Sequence, residues 1–193
     1  MAKFIHERMK RNGMSLRRFP FVLGSLVPDL CFSFIFRRHE YACSALSIRK
    51  IVLRLYEGRF DPRSALFAYF MGIINHYICD YFCYSHSPAF QGNLWDHIKY
   101  EWVQHMNEPE NLFFFGRKNY DTDFCQLMDT LNDHIRNHDH DLAQNPAAAK
   151  TDIAVGMAAA EWLAGTIFCS AERFFLTVPP RPLFRPERYG EAV

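Results

Sequence analysis

The sequence contains no long uninterrupted apolar segment. Its most apolar run, ALFAYFMGII, ends at Asn75 and His76, short of the roughly 20 apolar residues that a membrane-spanning helix requires. The N-terminal residues are charged and lack the apolar core of a secretory signal. We therefore predict no transmembrane segment and a cytoplasmic location, in which the thiols stay reduced.

Two further absences narrow the class of protein. The six cysteines follow neither a CxxC nor a zinc-finger spacing, which excludes the common modules that bind zinc through thiolates. The net charge is only +1, so no overall electrostatic field favours nucleic acid as a partner. Hydrophobic residues nevertheless make up 49% of the chain, which is enough for one sizeable core. The composition leaves the oligomeric state open.

Strand-like alternation is absent, and helical periodicity extends along nearly the whole chain. The clearest helix start is at Asp61 and Pro62, because aspartate caps helices and proline fits their first position. We predict one all-α domain over residues 1–176, built by helix packing, and a proline-rich tail over 177–193. The predicted helices span residues 2–12, 19–27, 43–57, 62–84, 93–107, 122–137 and 146–173.

The segment HYICDYFCYSH places polar groups inside an apolar helix. His76 and Asp80 are four residues apart, about 40° around the same helix face. Gly72 lies one turn earlier, where its missing side chain would leave room for an ion, and His86 follows the helix end and can turn back. These groups either converge on a cation or are ordinary core residues satisfied by their neighbours.

The next helix repeats the arrangement. In LWDHIKYE, His97 and Glu101 are again four residues apart. One such pair is more often a plain helix-surface interaction, but two pairs on neighbouring helices favour a metal site. Imidazole combined with carboxylate suits zinc. The Glu-x-x-His motif of ferritin-like di-iron proteins is absent at these positions.

These motifs resemble the zinc-dependent phospholipase C family, which shares its fold with the S1/P1 nucleases. The matching segments are FVLGSLVPDL, RRHE, NHYICDYFCYSH and DHIKYE. The resemblance implies an all-helical fold, a cluster of zinc ions and hydrolysis of phosphoesters by a zinc-activated water.

The resemblance also implies a role for each matching residue. The first zinc site would comprise Asp29, His39, His76 and Asp80, the second would comprise His86, His97 and Glu101, and His6 corresponds to the N-terminal histidine of a third site. Asp29 is in addition the candidate catalytic group that orients or deprotonates the attacking water. The family's N-terminal tryptophan has no counterpart here, so we expect two zinc ions, with a third depending on the N-terminal site.

The predicted function is therefore zinc-dependent hydrolysis of a phospholipid or a small phosphodiester, with peripheral contact to a membrane. An S1/P1-like nuclease and a non-catalytic metal-binding or interaction module are the alternatives. Cys79 and Cys83 lie beside His76 on the helix and are expected to be small buried fillers rather than ligands. We interpret His134, His138 and His140 as part of a solvated helix end.

Overall fold

The structure of the protein is a computed structural model, which describes residues 1–30, 41–106, 120–138 and 146–177. In chain order, its α-helices are α1 (Ala2–Arg11), α2 (Arg18–Leu30), α3 (Tyr41–Tyr56), α4 (Ala65–Tyr81), α5 (Leu94–Met106), α6 (Phe124–Arg136) and α7 (Pro146–Thr177). A short 3₁₀ helix, Tyr84–His86, follows α4. No strand occurs within these ranges, and the predicted all-α fold class is confirmed.

Helix α4 begins later and ends earlier than the sequence predicts. Ser64 caps it by accepting a hydrogen bond from the backbone N–H of Phe67 at 3.1 Å. Asp61 instead accepts from the N–H of Arg63 at 2.8 Å and forms a turn before the helix. The predicted start at Pro62 and end at Tyr84 were therefore wrong, and His86 is presented by a separate short helix.

Helix α2 is longer than predicted. We expected its end at residue 27, the first residue of the VPDL segment, but the helix continues to Leu30 with Pro28 in its last turn. Pro28 has no N–H and cannot donate the helical hydrogen bond to the carbonyl four residues earlier, that of Gly24. Asp29 consequently lies on a helix and not on a loop, which determines the direction of its side chain.

Two glycines set the close crossing of α2 and α4. A Cβ atom on Gly24 would lie 2.0 Å from the Tyr69 carbonyl oxygen, and one on Gly72 would lie 2.1 Å from the Phe21 carbonyl oxygen. Ser25 strengthens the contact by donating from Oγ to the Gly72 carbonyl at 3.1 Å. The expectation that Gly72 leaves room for an ion was wrong, because the backbone of α2 occupies that space.

Helix α7 lies along the core. It ends at Thr177 and not at residue 173 as predicted, and residues 178–193, which make up almost all of the predicted tail, lie outside the described residues. By length and composition, Ala149–Thr177 could cross a membrane, but 89% of its most apolar window is buried within the protein. The burial of Met157, Leu163 and Ile167 on this helix is typical of a core helix.

Candidate metal centre

His76 lies between two carboxylates supplied by the crossing helices. Its Nε2 atom is 3.0 Å from Oδ2 of Asp80, one turn along α4, and 3.5 Å from Oδ1 of Asp29 on α2. Burial opposes protonation of the imidazole, but the charges of Asp80 and Asp29 outweigh it and raise the pKa of His76 from 6.5 to about 9. This excess of negative charge around an imidazole is the environment that a bound cation would neutralise.

Asp80 connects this group to the next one. One carboxylate oxygen faces His76, while the other lies 3.8 Å from Nε2 of His86. The side chain is only 14% exposed, whereas that of Asp29 is 60% exposed. Asp80 is therefore an enclosed carboxylate between two imidazoles, and Asp29 is the more exposed of the two carboxylates that face His76.

The second group consists of His86, His97 and Glu101. Oε1 of Glu101 lies 3.0 Å from Nε2 of His86 and 2.9 Å from Nε2 of His97. The ligand atoms of all three residues lie within 4.8 Å of one another, so a single ion could contact them together. The i, i+4 spacing on α5 and the backward turn of the 3₁₀ helix bring them into this arrangement.

The charges within this second group support one another. Burial disfavours the ionised form of Glu101, but its hydrogen bonds to His86 and His97 prevail and lower its pKa to about 2. The hydrogen bond to Glu101 in turn raises the pKa of His97 above 6.5. Glu101 is thus a carboxylate, and not a carboxylic acid, at any physiological pH.

Backbone carbonyls accept hydrogen bonds from the imidazoles of His97 and His76 and so orient them. Nδ1 of His97 lies 3.2 Å from the carbonyl oxygen of Ser85, and the Ser25 carbonyl accepts a hydrogen bond from His76. A carbonyl can only accept, so the bond to Ser85 places a proton on Nδ1 of His97 and directs Nε2 toward the carboxylates. Histidines that bind metals in proteins are commonly held in this way.

One predicted ligand, His6, is not among the groups that meet at this centre, and another, His39, cannot be placed. His6 is 4% exposed and its Nε2 atom lies 2.9 Å from the carbonyl oxygen of Leu16, while its Nδ1 atom is buried without a hydrogen-bond partner in the described part of the chain. His39 lies outside the described residues. The predicted third zinc site therefore stays a prediction, and the first is described only for Asp29, His76 and Asp80.

Cys79 and Cys83 are buried beside the centre, in keeping with the small fillers we expected. Burial raises the pKa of the Cys83 thiol to about 12 and also raises that of Cys79 well above its usual value. Both side chains are accordingly neutral thiols at neutral pH.

A polar cluster beside the second group was not predicted from the sequence. Asp152, on α7, is 4% exposed and accepts hydrogen bonds from Tyr100 Oη at 2.7 Å and from the Tyr84 N–H at 2.9 Å. Nε2 of His138 lies 2.8 Å from its other oxygen, so the assignment of His138 to a solvated helix end was wrong. In the sequence, the signal for this cluster was an aspartate within an alanine-rich helix. The spacing of residues along the chain could not show which of them contact this aspartate. His140 lies outside the described residues.

The donor set fits zinc. Two imidazoles and one carboxylate are a ligand combination found in catalytic zinc sites, which leave a further position open for water or substrate. Here Nε2 of His97 already points at the shared carboxylate and Glu101 is ionised, so the ligands need little rearrangement. The fold and the centre together define an all-helical protein with a candidate histidine–carboxylate metal site.

The sequence model of the family described as zinc dependent phospholipase C matches residues 1–145. The chain therefore belongs to the zinc-dependent phospholipase C family, as its motifs indicated. No curated protein and no solved structure matches the chain.

Proposed function

We propose that this protein is a zinc-dependent phosphodiester hydrolase of the phospholipase C type. Its two zinc ions would bind at the first group, around His76, and at the second group, around His86. The observation that carries the proposal is the continuous series of contacts from Asp29 through His76, Asp80 and His86 to Glu101. Fold stability alone does not call for such a series, because its enclosed members, such as Asp80, are charged groups that are costly to bury even when they are paired.

In this proposal the ligands divide into two groups, and Asp80 lies between them. Asp29, His76 and Asp80 would hold one ion, and His86, His97 and Glu101 would hold the other. Zinc bound there would supply Lewis-acid chemistry, polarising a phosphoryl oxygen and lowering the pKa of water toward about 7.

Asp29 is the proposed proton acceptor. Its side chain is 60% exposed and 3.5 Å from His76, so water can reach it while it stays next to the ligand group. During hydrolysis a water oxygen bonds to phosphorus, the bond from phosphorus to the leaving oxygen breaks, and the proton that Asp29 accepts can be returned to the leaving alcohol. The products are a phosphomonoester and an alcohol.

The test combines metal content with activity. The full chain, loaded with zinc, is expected to retain about two ions per molecule by elemental analysis and to hydrolyse a chromogenic phosphodiester. His76→Ala and Glu101→Ala should each lose zinc and abolish hydrolysis. His134→Ala removes an exposed histidine on α6 and should change neither quantity, which makes it the matched control.

Three outcomes would contradict the proposal in different ways. A chain that binds no zinc even after loading has no metal centre of this kind. Stoichiometric zinc without hydrolysis of any diester favours the non-catalytic module. Preferential cleavage of single-stranded DNA over phospholipid identifies the S1/P1-like nuclease alternative.

We propose that the substrate comes from a lipid surface, because α2 and α5, which both present ligands, each carry an exposed apolar stripe. On α5 the stripe comprises Leu94, Trp95, Ile98, Trp102 and Met106, all at least 45% exposed, and on α2 it comprises Phe19, Leu23, Leu26 and Leu30, all at least 41% exposed. On each helix the stripe lies about a quarter-turn from the site residues. A bilayer that contacts the stripes would therefore place phosphate groups beside the centre.

Tryptophan at two positions of the α5 stripe favours a bilayer over a protein partner, since its amphipathic ring prefers the membrane–water interface. Helices with one apolar face and one polar face bind in the plane of this interface. In this proposal the protein is thus a peripheral membrane enzyme. Its cytoplasmic location stays a prediction.

Co-sedimentation with phosphatidylcholine vesicles tests this surface. Replacing both Trp95 and Trp102 by alanine should lower the fraction of protein bound by about tenfold, while zinc content reports whether the fold is intact. Leu46→Ala removes a residue of α3 that is 67% exposed and should leave vesicle binding unchanged. Equal losses in the two variants would show that general surface hydrophobicity, and not the α5 stripe, determines binding.

A further inference from the structure

Asp152 is a buried carboxylate whose partners come from separate segments. Its Oδ2 atom accepts from the Tyr84 N–H at 2.9 Å and from Tyr100 Oη at 2.7 Å, and its Oδ1 atom lies 2.8 Å from Nε2 of His138. Tyr84 begins the 3₁₀ helix, Tyr100 lies on α5, and His138 follows α6. One side chain of α7 therefore connects three other segments of the chain.

Two of these segments carry the second ligand group. Tyr84 is two residues before His86, and Tyr100 immediately precedes Glu101. Between them, the Ser85 carbonyl contacts Nδ1 of His97 at 3.2 Å. The rings of Tyr84 and Tyr100 also contact each other, with centroids 5.8 Å apart. The bonds to Asp152 thus fix the 3₁₀ helix and α5 relative to each other at the positions next to all three ligands.

We propose that Asp152 is a positioning residue for the metal centre, holding His86, His97 and Glu101 in the arrangement that binds zinc. The inference rests on the proposed zinc centre and extends it to α7. Asp152 lies beyond residues 1–145, the part of the chain that the family model matches. A helix outside the matched region therefore supplies part of the support for the site.

A purely structural role is the alternative, and the chain offers a matched comparison on the same helix. Glu161 is also a largely buried carboxylate of α7, with a side chain 12% exposed, and it pairs with Arg8 of α1 at 2.7 Å. Its side chain accepts hydrogen bonds from Arg8 and Asn12, neither of which adjoins His86, His97 or Glu101 in the sequence. Replacing either carboxylate by its amide should weaken the fold, but only the change at Asp152 should reach the centre.

The experiment measures zinc affinity of the full chain by competition with a chromogenic chelator, together with the unfolding midpoint of the metal-free protein. Asp152→Asn is expected to lower zinc affinity about tenfold, as losses of groups that orient ligands commonly do. Glu161→Gln should lower the midpoint while leaving zinc affinity within about twofold of the wild type. Tyr100→Phe removes one donor to Asp152 and should give a smaller loss of affinity than Asp152→Asn.

A loss of stability in Asp152→Asn with unchanged zinc affinity would overturn the inference. If that variant does not fold, Tyr100→Phe decides the question, and unchanged affinity there overturns it equally. Failure of the hydrolase proposal is distinguishable, because the affinity comparison needs no turnover. If the wild type binds no zinc, amide hydrogen exchange of the metal-free protein decides the question. Asp152→Asn must then speed exchange selectively at residues 84–87 and in α5. Unchanged exchange there overturns the inference.

Discussion

At the scale of single residues, the centre is determined by which carboxylate each imidazole contacts. Asp80 faces His76 with one oxygen and His86 with the other, and Glu101 places one oxygen within 3.0 Å of both His86 and His97. Each carboxylate therefore serves two histidines. This sharing makes the metal-free protein sensitive to the protonation state of its histidines.

We predict that the metal-free protein loses stability as the pH rises toward 9. The pKa of His76 is about 9 in the folded protein against an ordinary 6.5, so its protonated form stabilises the fold. This contribution, at most about 3 kcal/mol, is fully present below pH 6.5 and disappears as the pH rises through about 9. Urea unfolding of chelator-treated protein at a series of pH values measures it.

His76→Ala is expected to flatten this pH dependence, since the group whose pKa differs between the folded and unfolded states is removed. His134→Ala should retain the wild-type profile, because it lies on the exposed side of α6. Equal slopes in wild type and His76→Ala would contradict the prediction.

At the scale of elements, the crossing of α2 and α4 assembles half of the centre. Gly24 and Gly72 lie where the two backbones approach, and Asp29 and His76 each follow one of these glycines by about one turn. Close packing at the glycines is therefore what brings a carboxylate of one helix within 3.5 Å of an imidazole of the other.

We predict that Gly72→Ala is destabilising and weakens zinc binding. The added methyl group would lie 2.1 Å from the Phe21 carbonyl oxygen, a distance that backbone atoms can relieve only by moving the helices apart. The cost should be about 1–3 kcal/mol or more, and the displacement should separate Asp29 from His76. Chemical unfolding and zinc titration measure the two effects.

Gly156→Ala on α7 is the control for this change. Its added methyl group would lie 3.2 Å from the nearest atoms of Cys79, so small shifts suffice and a smaller loss of stability is expected. A Gly72→Ala protein as stable as the wild type would show that α2 and α4 tolerate a wider separation.

At the scale of the whole molecule, metal binding and folding should be linked. The ligands come from α2, α4, the 3₁₀ helix and α5, so they converge only when the chain is folded. A ligand that binds only the folded state stabilises it in proportion to the logarithm of its concentration.

Zinc is accordingly expected to raise the melting temperature. At a free concentration about 100 times its Kd it should add about 2.7 kcal/mol, which corresponds to about 5–10 °C for a chain of this size. Magnesium, which prefers oxygen ligands, should produce a much smaller shift. His86→Ala removes a ligand of the second group and should reduce the zinc effect, and a zinc-independent melting temperature would contradict the linkage.

The sequence alone determined the helical class, the family and the pairing of ligands within each helix. These features are local, because the i, i+4 spacing of His76 with Asp80 and of His97 with Glu101 sets their relative positions wherever the helices lie. Helix ends were less predictable: Ser64 and Asp61 are both good caps, and only the folded chain shows that the helix begins after Ser64.

Only the tertiary structure decided which distant groups meet. The approach of Asp29 to His76 depends on backbone contact at Gly24 and Gly72, and the support from Asp152 depends on how α7 packs against the 3₁₀ helix and α5. No spacing along the chain encodes these contacts, since each joins residues at least 45 positions apart. Their geometry follows from helix packing, which is why Gly72 was misread as space for an ion and Asp152 was overlooked.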